Sequence, residues 1–157
     1  MGALWTLLQP LYWTAARLSG SPPPPQWRQQ DMPGACGHTV LAMLLNEPVE
    51  RIMQRTGRRL GISVAQAAQV LSDYGYPCRP IAGPHVSRHW SVYRRRSGGL
   101  FRRGIAFLPA APGARWGHAL LIYGPVAYDP GIDRFFAIRP RLISQWSWVL
   151  FMTTPDQ

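Results

Sequence analysis

The sequence predicts an α+β fold, with N-terminal helices packed on a C-terminal antiparallel sheet. Three observations predict it. Between residues 36 and 71, apolar residues recur at helical spacing. From residue 104 onward, the apolar runs shorten to strand length and are separated by Gly and Pro. Helices come first and strands after them, the order expected of an α+β layout.

The chain has 157 residues, 46% hydrophobic and 15% charged, enough for one domain with a core of its own. That domain is expected over residues 26–157, behind an N-terminal arm and Pro-rich linker over residues 1–25. The first 18 residues carry no charge until Arg17 and are rich in Leu, Trp and Tyr, with Pro10 interrupting them. The basic start of a secretory signal is missing, so none is expected. Met1-Gly2-Ala3-Leu4-Trp5-Thr6 fits the loose myristoylation pattern, but a packed arm or a weak interfacial helix suits the stretch better. Ser21 followed by Pro22 to Pro25 reads as a stiff polyproline-II linker. No run of 18 or more apolar residues occurs, so no transmembrane helix is expected. The compartment stays open between cytoplasmic and delivered to another cell as an effector.

The elements follow in order. Pro33-Gly34 is a helix entry, and Cys36, Val40, Met43 and Leu44 form a stripe at i, i+4, i+7 and i+8 behind it. Asn46-Glu47-Pro48 stops that helix. Val49, Ile52, Met53 and Thr56 define a second one, ended by Gly57. Ser63-Val64-Ala65-Gln66 is a capping box for a third, with Val64, Ala67, Ala68 and Leu71 on one face and Gly75 at its end. Tyr76 to Ile81 is a candidate short strand containing Pro77 and Pro80. Pro84 opens a fourth helix bearing Val86, Trp90 and Tyr93. Strands are then expected over Gly104–Leu108, His118–Tyr123, Val126–Asp129, Arg134–Ile138 and Ser147–Met152.

The net charge is +10, and all 17 basic residues are Arg. Coding bias accounts for Arg-only usage; the functional alternative is affinity for an acidic partner or a membrane surface. The densest cluster, Arg94-Arg95-Arg96 with Arg102-Arg103, flanks Ser97-Gly98-Gly99 and reads as a solvated loop. No nucleic-acid-binding motif accompanies it, so nucleic acid is not the expected partner. Two cysteines make no disulfide framework.

Cys36 carries the chemical reading. As a small buried hydrophobe it would be unremarkable. In the first turn of a helix, however, a thiol meets unpaired N–H groups and the positive end of the dipole, which favour the nucleophilic thiolate. Among four histidines, His118 is the best base, because it lies in a strand with Asp129 nearby in the chain. If Gly124-Pro125 is a two-residue loop, Tyr123 opposes Val126 and Leu120 opposes Asp129. Asp129 and His118 then share a face, and a one-residue slip would separate them. Asp133 is the fallback orienter. Gln30, six residues before Cys36, can donate its amide N–H over the sulfur.

Gln30, Cys36-Gly37, Gly61-Ile62-Ser63, His118 and Asp129-Pro130 occur in the order seen in papain-like cysteine peptidases. Over about residues 28–153 the chain most resembles the bacterial peptidases that remove double-glycine leaders, and their stand-alone relatives. Gln145-Trp146-Ser147-Trp148 resembles the last strand of that group. The resemblance implies a papain-like fold with Cys36 as nucleophile, His118 as base, Asp129 as orienter and Gln30 as oxyanion donor. It implies hydrolysis of a peptide or isopeptide amide and a peptide or protein substrate; a monomer is expected, with no cofactor or metal. The His118–Asp129 hairpin is short for the group, and Met32-Pro33-Gly34-Ala35 replaces its usual polar turn.

Three other readings compete. Phytochelatin-synthase-like enzymes resemble the same scaffold and pass the acyl group to an amine. Cys36, His38, Cys78, His85 and His89 could be assembled into a zinc set, although no paired C-x-x-C is present. A degenerate, basic relative would bind and do no chemistry.

Overall fold

The computed structural model describes residue 14, residues 27–96 and residues 103–152, with only the backbone for residues 94–96. The N-terminal arm, its Pro-rich linker, Ser97-Gly98-Gly99 and Arg102 lie outside the described residues, apart from residue 14.

From residue 27 onward three helices come first, α1 (Cys36–Leu45), α2 (Val49–Thr56) and α3 (Val64–Asp73). In α1 every residue from Cys36 to Leu44 is buried, not just the expected stripe. It is sandwiched between the sheet and the other two helices, so even Gly37, His38 and Thr39 are enclosed. No side chain caps its start; the preceding turn is closed by the Ala35 N–H donating to Met32 O at 3.2 Å. α2 ends in left-handed Gly57, and the N–H groups of Gly57 and Arg58 donate to Gln54 O and Met53 O. α3 has the predicted capping box, Ser63 Oγ accepting from the Gln66 N–H at 3.1 Å and Gln66 Oε1 from the Ser63 N–H at 3.0 Å.

The candidate strand Tyr76–Ile81 is reduced to β1 (Ile81–Ala82), because Pro77 and Pro80 have no N–H to give to a ladder. The fourth helix is broken at His89 into α4 (Gly83–Arg88) and α5 (Trp90–Arg96). The backbone of Arg94–Arg96 is therefore helical, and not the loop expected. β2 (Arg103–Leu108), β3 (His118–Tyr123), β4 (Val126–Asp129) and β5 (Arg134–Ala137) follow, then an unanticipated turn of helix, α6 (Pro140–Ile143), and β6 (Trp148–Met152).

The strands form one antiparallel sheet in the order β1-β6-β2-β3-β4-β5. β3 and β4 pair as expected, Tyr123 with Val126 and Leu121 with Tyr128. Helices cover both faces, which is why the central strands are apolar throughout instead of alternating. On one face α1–α3 pack on Ile105, Leu121, Tyr128 and Leu150. On the other, Val86, Ile143 and Trp146 pack on Ala106, Leu120, Ile122 and Val149. Burying a side chain such as Leu41 or Leu121 contributes about 1.5–3 kcal/mol each. This two-sided core holds the start of α1 against the ends of β3 and β4.

Candidate active site

Cys36 is the first residue of α1, and its side chain is buried at the front of the core. The amides of a first helical turn have no partner inside the helix, so they are free to meet an anion there. Gly37 is obligatory behind it: a Cβ would overlap Ile62, which packs onto the helix start. The Gly61-Ile62 segment is tied to the same turn by the Gly61 N–H, which donates to Gly34 O at 2.9 Å.

His118 opens β3 and Asp129 closes β4. Their side chains meet, His118 Nε2 standing 2.6 Å from Asp129 Oδ1. With Nε2 held by the carboxylate, Nδ1 is the nitrogen left for Cys36. The His118 pKa is pushed up to about 9, chiefly by its hydrogen bond with Cys36. Burial works against that rise, while the Asp129 hydrogen bond and the charges of both partners add to it. A histidine flanked by two groups that can carry negative charge holds its proton.

Strict alternation along β3 and β4 would send His118 and Asp129 with Leu120 and Ala127, to the face away from α1. While His118 stays paired with Leu108 of β2 and Asp129 with Arg134 of β5, the β3–β4 ladder ends at the Leu121–Tyr128 pair. Beyond that pair both residues stand at the rim of the sheet, where His118 reaches Cys36.

Gln30 comes to the same rim. Its backbone N–H donates to Pro130 O at 3.0 Å. Its side-chain Nε2 lies 3.6 Å from where a Cβ on Gly131 would stand, a point 3.1 Å from His118 Cε1 and 3.2 Å from Asp129 Oδ1. Gly131 is thus the common floor of three candidate residues, and a side chain there would press on His118 and Asp129 and touch Gln30. Gln30 Oε1 is buried with no hydrogen-bond partner among the described residues.

A narrow cavity of about 70 Å³ opens beside the thiol, lined by Cys36, His118, Gly34, Gly61, Gly117 and Trp116 among others. The Trp116 ring lies against Gly61, 2.5 Å from where its Cβ would be, and Arg115 sits over the same ring at 5.0 Å. Spacing alone did not single out Trp116, Gly131, Tyr128 or Ile62. The Gly131 in Asp129-Pro130-Gly131 and the Gly37 beside Cys36 were the available signals, since each marks a close approach.

Asp133, the fallback orienter, is turned elsewhere: its Oδ1 accepts from the Tyr128 hydroxyl at 2.7 Å. His38 faces α2, its Nε2 3.1 Å from Thr56 Oγ1, and it takes no part in the cluster. His85 and His89 pair with each other, their ring centroids 4.7 Å apart. Both cysteines are free, and among the described residues no three His, Cys, Asp or Glu side chains are grouped to share an ion. No helix among the described residues is long and apolar enough to cross a membrane. Neither a protein-family model nor a characterised protein matches the chain.

Proposed function

We propose that this chain is a papain-like, cysteine-dependent amide hydrolase that cuts a peptide or isopeptide bond through a thioester. The observation that carries the reading is His118 shared between the Cys36 thiol and the Asp129 carboxylate at the start of a buried helix. In this scheme the thiolate of Cys36 attacks the carbonyl carbon, and the oxygen takes the negative charge. The Cys36 N–H and the Gln30 amide are the donors for that oxygen. His118 passes its proton to the leaving nitrogen as the C–N bond breaks. Water then attacks the thioester, His118 takes a proton from it, and the acid leaves with the thiolate restored. Asp129 holds the imidazole and stabilises its charged form.

The cavity supports a small residue on the acyl side of the cut bond. Glycine walls and the Trp116 ring narrow the cleft beside the sulfur, which favours a small residue there. Substrates are peptides or proteins. The acidic-partner reading rests on Arg94–Arg96 with Arg102–Arg103; of these side chains only that of Arg103 is described, over the Tyr123 ring at 5.3 Å.

The test uses fluorogenic peptide amides bearing glycine or leucine before the scissile bond. The glycine substrate is expected to turn over and the leucine one to be poor. A Cys36→Ala protein that is as active as the native one would sink the proposal.

A further inference from the structure

The turn that follows β4 has more built into it than one carboxylate needs. Asp129 Oδ1 accepts from the Gly131 N–H at 2.8 Å as well as facing His118. Pro130 O takes the Gln30 N–H at 3.0 Å. Asp133, in the left-handed region at φ 50°, accepts from the Tyr128 hydroxyl at 2.7 Å. Tyr128 is only 1% exposed. Its ring stands 5.1 Å from that of Trp27 and 4.8 Å from that of Phe135, centroid to centroid. Trp27 begins the four-residue segment that ends in Gln30.

We propose that Tyr128 is a positioning residue for this site: its hydroxyl fixes the Asp129–Arg134 turn through Asp133, and its ring seats the Trp27–Gln30 segment. One buried side chain then governs both the His118–Asp129 pair and the placement of Gln30. A buried tyrosine merely satisfied by the nearest carboxylate would not require this, since such pairs are ordinary in cores. Here the Tyr128–Asp133 bond closes a turn whose other two bonds hold Asp129 and Gln30. The hydroxyl and the ring can be separated experimentally, because Phe keeps the ring and its contact with Trp27. The functional meaning rests on the hydrolase reading, but the geometry can be tested without turnover.

The test follows the His118 imidazole by NMR across pH, with circular dichroism on every variant. The groups facing His118 that can carry charge are Cys36 from α1 and Asp129 from the turn. In Tyr128→Phe the turn loses its anchor and Asp129 its fixed distance, so the His118 titration should move down by about half a unit or more. Asp133→Gly removes the same acceptor, suits the positive φ, and should move it equally. Asp133→Asn keeps an oxygen acceptor and should leave the titration where it was. On a working substrate, Tyr128→Phe should lower kcat about tenfold with KM little changed. An unmoved His118 titration in folded Tyr128→Phe or folded Asp133→Gly overturns the proposal; if one variant does not fold, the other decides. Should Cys36→Ala prove fully active, the hydrolase reading fails, while the His118 titration still decides the role of Tyr128.

Discussion

His118 and His38 both belong to the start of α1, one reaching it from the sheet and one carried on it, and they are driven in opposite directions. His118 is pushed up to about 9 because Cys36 and Asp129 face it. His38 is pushed down by burial, only partly offset by a hydrogen bond to the Arg58 backbone. Its side-chain partner is the neutral hydroxyl of Thr56, and its Nδ1 has no partner among the described residues. The same ring, a few residues apart in space and bound to the same helix, is a held proton in one corner and a neutral strut in the other. What decides is whether the groups opposite can carry negative charge, not distance from Cys36 along the chain.

The strongest way to break this contrast is to remove the reactive corner. Cys36→Ala should abolish covalent chemistry, a loss of more than about 10⁴, with the fold intact by circular dichroism. His118→Ala should cost about 10²–10⁴, since thiol and leaving amine lose their base and acid. The double change should be no worse than Cys36→Ala alone, and additive losses would show that the two do not act as a unit.

Next in size are the supporting residues. Gln30→Ala should lower the rate by about 10²–10³, as loss of one oxyanion donor does. Asp129→Asn should hurt less than His118→Ala, since the carboxylate only orients and stabilises the imidazolium. Steady-state rates order the four variants, and an inert Gln30 would remove it from the oxyanion role.

The His38 corner should answer in stability and not in rate. His38→Ala opens a hole in the core and removes the His38–Thr56 bond, leaving Thr56 only its backbone acceptors, at a cost of about 1–3 kcal/mol in a urea melt. Turnover per folded molecule should stay near the native value. A loss rivalling that of His118→Ala would erase the comparison.

The pH dependence of stability separates the corners by sign. The folded His38 pKa lies below the ordinary value, so the unfolded chain takes the proton first. Its contribution is present above about pH 6.5 and is lost as pH falls below that. The folded His118 pKa lies above the ordinary value. Its contribution is complete below about pH 6.5 and is lost as pH rises through about 9. Urea melts across pH should show His38→Gln flattening the acid side and His118→Ala the alkaline side. Crossed effects would mean that the two environments are misassigned.

The smallest differences are between sites that share a residue type but not a setting. Cys36 should react with iodoacetamide faster than Cys78, whose thiol burial pushes up. Peptide mapping of the alkylated protein reads this directly, and equal rates would remove the case for an activated Cys36. Replacing Arg94, Arg95 and Arg96 by Ser should change turnover of a small neutral amide by less than about twofold. The check is made at low and high salt, where only binding of an acidic partner should respond.

Much of this was legible in residue order. The apolar spacing from Cys36 to Leu44, the Ser63–Gln66 box, Gly57 as a stop and the two-residue Gly124-Pro125 loop are local signals, and local geometry obeyed them. The hairpin register followed from the loop length, and with it the meeting of His118 and Asp129. Where prolines interrupted, at Tyr76–Ile81, the reading failed: two prolines took away the donors a strand needs, and β1 kept only Ile81 and Ala82. The break at His89 and the short α6 carried no clear periodic signature, because neither spans enough turns to show one.

The amino-acid sequence by itself determined α1 to α3, the strands β2 to β6, the pairing of β3 with β4 and the identity of the candidate residues, because each depends on contacts a few positions apart or on one tight loop. Only the tertiary structure decided that Cys36 meets His118, that Gln30 shares the Gly131 floor, and that Asp133 serves Tyr128 instead of His118. Alternation along the strands points His118 to the wrong face. It is the end of the ladder, the packing of α1 across the sheet and the anchoring of Trp27 on Tyr128 that bring these groups together. Contacts between residues 36 and 118, or 30 and 131, are made by the shared core, and no local pattern encodes them.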